Sequence, residues 1–421
     1  MTLQRFPNAA IVSSKILGEK LKFPNGRTAA NRFMKAAMTE RLSTYDPQNP
    51  KKHGLPTKEI LNIYDKWGRG EYGMIITGNV VVDPTNLEAI GNAIIFEEGD
   101  SEERRSLYAQ WAKNMKHDGA LAIMQLSHAG RQSSIWVNRT PFGASDIELK
   151  TDPPGTMYGK PIALTTEQIK TEVVDRFVYA AKYAYECGFD GIQLHGAHGY
   201  LLTQFTSPTT NNRTDKYGGS LENRNRVIIE IYEAIRREVP ESTGFLVGIK
   251  SNSKEFQEKG TTVNDARDLC AAYEKHGFDF VELTGGTAEK HSLWNLLMRS
   301  DQSSKTLFST QGTTQGIGLA RPATAEPDLP KKILNGSVPS AVKDAFNPND
   351  IIKQIMASGS QIEQMGRKSV EDAGGDVMDQ ISDYSDPKMV ELFIQATYKL
   401  FEDGKKAAMA GKAPKTVVFM E

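Results

Sequence analysis

The sequence predicts an α/β protein built as a (β/α)8-type barrel, short of one βα unit and followed by a helical C-terminal extension. Three observations lead there. First, a unit recurs in which an amphipathic helical stretch ends at Gly, an aromatic residue follows, and a short apolar run comes next. It reads RFVYAAKYAYECGFDGIQLHG at 176–196 and ARDLCAAYEKHGFDFVELTGG at 266–286, with looser copies at 59–79, 106–130 and 226–252. Gly suits the left-handed position that closes a helix, and the apolar runs are dense enough to be buried on both faces, as in a parallel sheet. Second, a polar residue ends nearly every run: Thr39, Asn79, Gln125, His195, Lys250, Thr284 and Arg321. Such a rim is where a barrel keeps its active site. Third, no GxGxxG follows the first run, which argues against a dinucleotide-binding doubly wound sheet.

Buried strands are expected near 32–38, 73–78, 120–126, 189–195, 245–250, 278–284 and 315–320, one fewer than a standard barrel needs. The interval from Thr284 to Gln315 has room for a single crossover. The barrel domain is placed at 1–336. From 337 to 421 Met, Gln, Ser, Asp and Lys dominate, with helical periodicity at 349–366 and 387–409, and the closing PKTVVFME reads as one extra edge strand at most.

Composition excludes several function classes. Fifty-one basic against 52 acidic residues give a net charge of −1, and no Lys/Arg tract suits a phosphate backbone or an anionic leaflet, so neither nucleic acid nor membrane is an expected partner. No apolar stretch approaches the roughly 20 residues of a membrane span, and MTLQRFPNAA lacks a signal-peptide core. A soluble, cytoplasmic protein is the expectation. Cys187 and Cys270 are the two cysteines, each in a helix-like segment, which supports neither a disulfide framework nor a Cys-based metal cluster.

The chemistry concentrates in DGIQLHGAHGYLLTQFTSPTTNNRTDKYGGSLENRNR, residues 190–226. A strand delivers His195 to its end, with His198 and Tyr200 close behind. Two imidazoles can hydrogen-bond one ligand oxygen and a phenol can deliver a proton nearby; the bland alternative is a turn cap and a packed ring. A His-x-x-His metal site lacks a carboxylate or third imidazole in the local pattern, so no metal is expected. Gln125 ends ALAIMQLSHAGRQ (120–132), where an amide can match the edge of a planar heterocycle, or simply satisfy a buried neighbour. Lys250 ends FLVGIKSNS, either as a cation facing a ligand or in an internal ion pair with Glu282. GIGLARPATAEPDLPKKI (316–333) offers Arg321 and backbone N–H groups as a phosphate grip.

The order of NRFMKAAMT (31–39), QLSHAGRQ (125–132), HGAHGYLLTQFTSPTTNNRTDKYGGSLENR (195–224) and GIGLARPATAEPDLPKKI (316–333) resembles the old yellow enzyme family of FMN-dependent NADH:flavin oxidoreductases over about residues 10–335. The resemblance implies FMN, with NADH or NADPH as hydride donor, and an activated alkene such as an enone, a small unsaturated carbonyl compound, as acceptor. It implies that Ala37, Met38 and Thr39 lie along the flavin, that Asn79 and Gln125 bond its pyrimidine edge, that Lys250 balances charge near N1, and that Ala320 and Arg321 hold the phosphate. His195 and His198 would bind the acceptor carbonyl and Tyr200 would protonate the α-carbon. Tyr217 would line the substrate entrance, and Arg213, Asp215, Glu222 and Arg224 would brace the long loop.

Two departures stand out. After VELTGG the segment HSLWNLLMRSDQSSKTLFSTQGT (291–313) replaces the helix, seventh strand and Gly-rich phosphate loop that the resemblance implies, and Ala320 stands where Gly is usual. Reduced FMN affinity is therefore expected, with KTLFST (305–310) as one candidate replacement strand. The alternative function is an impaired barrel that binds a ligand or partner without flavin. Unpaired strand edges favour self-association, and a homo-oligomer is one way to cover them.

Overall fold

The computed structural model describes residues 3–6, 14–150, 157–287, 314–415 and 417–420. The main sheet has strands β1 Phe33–Lys35, β2 Met74–Val81, β3 Leu121–Ser127, β4 Gly191–Gly196, β5 Leu246–Asn252, β6 Phe280–Thr284 and β7 Ile317–Leu319. Each lies in or across one of the expected runs. Their order is β6-β5-β4-β3-β2-β1-β7, and every pairing is parallel. From β1 to β6 consecutive strands are neighbours with a helix between them, the winding of a barrel rather than of a doubly wound sheet. Among the described residues β6 and β7 are the ends of the sheet, and 288–313, including the candidate strand KTLFST, lies outside the described residues.

The sheet curls on itself. A Cβ built on Gly318 of β7 would sit 3.9 Å from the Glu282 carboxylate of β6. Period-two alternation sends Met34, Met74, Ile76, Leu121, Ile123, Leu246 and Phe280 into one interior cluster, with Phe23 and Ala29 of the antiparallel hairpin Leu21–Lys22/Thr28–Ala29 packed in it. Phe23 meets Phe280 edge-on at 6.2 Å between ring centres, so the hairpin plugs one mouth of the barrel with apolar side chains. The polar strand ends are left for the other mouth.

The opposite faces of the strands pack on an outer layer of helices. These are α1 Lys58–Gly68, α2 Glu102–Met115, α3 Arg176–Glu186, α4 Leu201–Thr206, α5 Leu221–Glu238, α6 Val263–His276, α7 Arg321–Ala325, α8 Leu329–Leu334, α9 Ile351–Gly366 and α10 Pro387–Met409. Local sequence sets their ends: a capping box of Thr262 and Asp265 starts α6, and Gly277 at φ 94° closes it. In the segment from 337 onward, Asp350 caps α9 and Asp386 precedes Pro387 at the start of α10. Helix α9 lies against α1 and α7: Asn62 Nδ2 donates to Gly366 O at 2.8 Å, and Thr324 Oγ1 donates to Gln361 Oε1 at 2.8 Å. Helix α10 packs on α9 through Ala357, Val390 and Phe393, and Val418 and Met420 of the closing PKTVVFME join that cluster without forming a strand among the described residues.

One buried cation fixes the loop that follows β2. Arg104 of α2 is fully buried and donates to five carbonyls: Gly99 at 2.9 Å, Gly54 at 3.3 Å, Ile94 at 2.7 Å, His53 at 2.7 Å and Pro50 at 3.1 Å. Among the described residues no carboxylate forms a salt bridge with it; backbone dipoles and the Phe96 ring, 5.3 Å away, compensate the charge. Arg104→Met keeps the volume and orphans those carbonyls, so a loss of about 3–5 kcal/mol is expected in urea unfolding.

Candidate active site

Strand ends β1 to β6 bring most of the sequence-singled residues to one mouth. His195 leaves β4 with Nδ1 3.2 Å from Ser127 Oγ of β3 and Nε2 3.3 Å from His198 Nδ1. His198 Nε2 lies 2.9 Å from Thr284 Oγ1 of β6, and its backbone N–H donates to Asn252 Oδ1 of β5 at 3.2 Å. Its φ of 61° turns the chain sharply, and Gln132 Nε2 holds its carbonyl at 3.0 Å. Tyr200 follows, its ring 4.6 Å from that of His195. Arg41 and Glu88 form a 2.6 Å ion pair beside this phenol; neither was signalled by a strand-end position, because both sit in loops.

Below them runs a chain of polar side chains. Gln125 Nε2 donates to Gln193 Oε1 at 2.8 Å, Gln193 Nε2 donates to Glu282 Oε2 at 2.8 Å, and Lys250 Nζ pairs with Glu282 Oε1 at 2.9 Å. Lys250 is thus engaged by the carboxylate that the sequence offered as its internal partner. Gln193 points inward two residues before His195, a position the period-two alternation of β4 could have signalled. Asn79 of β2 stands in register with Gln125, and its Nδ2 is buried with no hydrogen-bond partner among the described residues.

Ala37, Met38 and Thr39 follow β1 as half-buried residues at the same mouth, with Ala37 against the interior cluster. Ala320 precedes α7, and Arg321 starts it, its guanidinium donating to Gln354 Oε1 of α9. Tyr217 is not brought to this group: it is buried against Phe205, and its hydroxyl donates to Glu230 Oε2 of the outer helix α5 at 2.7 Å. In the long loop Arg213 pairs with Asp215, Arg224 Nε donates to Thr206 O at 2.8 Å, and Glu222 is exposed on α5.

Electrostatics keep the two imidazoles neutral. Burial pushes His195 well below the usual imidazole range, with His198 and Lys250 adding to the effect. Burial and then Lys250 lower His198 to about 3. Burial, then Glu88, raises Tyr200 well above the usual phenol, so it stays protonated. No group of three His, Cys, Asp or Glu side chains among the described residues could hold a metal ion.

The sequence profile of the NADH:flavin oxidoreductase / NADH oxidase family matches residues 19–284. The chain is 40% identical over 84% of its length to the NADH-dependent flavin oxidoreductase nadA of Aspergillus parasiticus, covering 86% of that protein. The chain belongs to the NADH:flavin oxidoreductase / NADH oxidase family. It is therefore an FMN-dependent NAD(P)H:flavin oxidoreductase of the old yellow enzyme type. A second relative, iliE of Hypocrea jecorina, is 29% identical over 77% of the chain and 90% of its own length. Among solved structures the old yellow enzyme of Trypanosoma cruzi matches at TM-score 0.65 and 21% identity, over 77% of this chain and 93% of that one. Morphinone reductase in complex with tetrahydroNAD matches at TM-score 0.61 and 23% identity, over 76% and 91%. Both show the barrel fold.

The residues of this oxidoreductase fit FMN at both ends. The orphan Asn79 Nδ2 is a buried donor of the kind a flavin pyrimidine carbonyl satisfies. At the other end burial lowers Arg321 from its ordinary value with the Asp344 carboxylate only partly opposing it, so a bound anion would further relieve its desolvation. Among the described residues no helix of the oxidoreductase is long and apolar enough to cross a membrane.

The depressed His198 has a pH consequence. Between about pH 3 and the unfolded value of about 6.5, the unfolded chain takes up a proton that the folded one refuses. Stability should therefore fall as pH drops through that window. Asn tolerates the left-handed backbone at 198, so His198→Asn should fold and show a shallower decline in melting temperature over that range.

Proposed function

We propose that this oxidoreductase passes hydride from NAD(P)H, through FMN, to the β-carbon of an activated alkene of the enone type, with Tyr200 supplying the proton to the α-carbon. FMN, when bound, accepts hydride from the nicotinamide and releases it to the acceptor. The protein's own part is to bind the acceptor, polarise it and complete the reduction. His195 and His198, both neutral, carry one N–H each and would exchange their contacts with each other and with Thr284 for the carbonyl oxygen, which draws electron density from the double bond. Because they do not ionise in the working range, the hydrogen bonds persist across it. Tyr200, held protonated beside His195, is the general acid.

The observation that carries this reading is the cluster itself: two neutral imidazoles in contact at 3.3 Å with a protonated phenol tilted against His195, at the mouth that holds the orphan amide nitrogen of Asn79. At the flavin end, Asn79 and Gln125 would bond the pyrimidine edge, Lys250 would balance negative charge on the ring, Thr39 would lie by the carbonyl side, and Ala320 and Arg321 would hold the phosphate. Isotopic labelling tests the reading. With 4-deuterated NADH and an enone, deuterium should appear at the β-carbon; with NADH in D2O it should appear at the α-carbon. A product without label at either carbon would overturn the assignment of the acceptor.

A further inference from the structure

Strand β2 contains a register shift that decides which way Asn79 faces. Ile76 pairs with Ile123 of β3, yet Asn79 rather than Gly78 pairs with Gln125, so one extra residue is inserted at Thr77–Gly78. In an unbroken ladder Gly78 would face the barrel interior and Asn79 the helices, because a one-residue slip exchanges the two faces of a strand. The bulge turns Asn79 inward, level with Gln125.

Three side chains hold that bulge: Lys35 at the end of β1, Glu40 after it and Tyr64 of α1. Gly78 N–H donates to Glu40 Oε1 at 2.8 Å and contacts Tyr64 Oη at 2.8 Å. The Tyr64 hydroxyl, from α1, donates to the same carboxylate oxygen. Lys35 Nζ donates to Tyr64 Oη at 3.2 Å and to Ile76 O at 2.9 Å, the carbonyl just before the bulge, with the Trp67 ring 4.2 Å away. On the sheet side Gln125 N–H bonds Thr77 Oγ1 at 2.9 Å, which patches the interrupted ladder. The space is closed as well: a Cβ on Gly78 would fall 2.0 Å from Glu40 Oε2 and 2.4 Å from Met38 O. Lys35 and Glu40 are both buried, and burial lowers the Lys35 amine to about 7. Both side chains spend their hydrogen bonds on the bulge and its neighbours.

We infer that Lys35, Tyr64 and Glu40 are positioning residues for the cofactor: by clamping the Thr77–Gly78 bulge they aim the Asn79 amide at the pyrimidine edge of FMN. The inference rests on the FMN site proposed above. The clamp touches no cofactor atom and acts through Asn79.

A double-mutant cycle on the full-length apoprotein tests this, read as the FMN dissociation constant from flavin fluorescence quenching, with the absorption maximum of the bound flavin as a second signal. Glu40→Ala and Asn79→Ala should each weaken FMN by about tenfold, the weight of one lost hydrogen bond to a buried group. The double variant should be no weaker than either single variant and should share their shifted absorption. Glu40→Gln keeps an acceptor for Gly78 N–H and should stay within about threefold of the parent. If Glu40→Ala does not fold, Tyr64→Phe, which removes only the linking hydroxyl, takes its place in the cycle. Losses that multiply in the double variant would overturn the clamp while leaving the FMN site standing. Failure of the unmodified protein to bind FMN would overturn the site on which the clamp rests.

Discussion

Tyr200→Phe should slow reoxidation of the reduced protein by an enone about 10²–10³-fold while leaving reduction by NADH within about twofold. The split follows from position. The phenol lies against the His195 ring at 4.6 Å, and its proton is held by burial and Glu88. Hydride transfer from nicotinamide requires no proton from the protein, whereas saturation of the alkene requires one at the α-carbon. Phe keeps the ring contact with His195 and loses only the acid. Rapid-mixing absorbance separates the two half-reactions; a comparable fall in both would remove Tyr200 from the role of proton donor.

Lys250→Met should destabilise the protein by about 3–5 kcal/mol, and Lys250→Met/Glu282→Gln should recover most of that loss. The pair sits in the barrel interior at 2.9 Å with both side chains largely buried. Removing the cation leaves the Glu282 carboxylate with the Gln193 amide as its remaining named donor, and one neutral hydrogen bond does not balance a buried charge. Neutralising both members removes the uncompensated charge and retains the amide chain from Gln125 through Gln193. Urea unfolding of the three proteins reads the cycle. A double variant as unstable as the single one would mean that Lys250 acts through packing rather than charge.

The fold was legible in the sequence to an unusual degree because parallel strands buried on both faces read as apolar runs with Gly-punctuated helices between them. The runs near 245–250 and 278–284 differ from the observed Leu246–Asn252 and Phe280–Thr284 only at their ends. Helical periodicity at 349–366 and 387–409 made the helices Ile351–Gly366 and Pro387–Met409 legible. At the site, strand-end polarity singled out Gln125, His195 and Lys250, and the internal partner Glu282 was evident from the neighbouring strand. What escaped depends on contacts between distant elements. The bulge at Thr77–Gly78 is invisible in a continuous apolar run, so the clamp by Lys35, Glu40 and Tyr64 carries no local signature. Tyr217 looked like an entrance residue from its place in the loop, yet Glu230 on α5 draws its hydroxyl to the outside of the barrel. Arg321 follows the last apolar run in the sequence as a phosphate ligand would, but only the structure reveals that it opens α7 with Gln354 of α9 beside it.

The mouth formed by Asn79, Gln125, His195, His198, Tyr200 and Lys250 is proposed to hold FMN and to relay hydride from NAD(P)H to an enone. The most direct test is one anaerobic cuvette containing the protein with stoichiometric FMN. NADH should bleach the flavin band, and addition of cyclohexenone should restore it with one equivalent of cyclohexanone formed per flavin. A band that NADH does not bleach, or that cyclohexenone does not restore, would contradict the account.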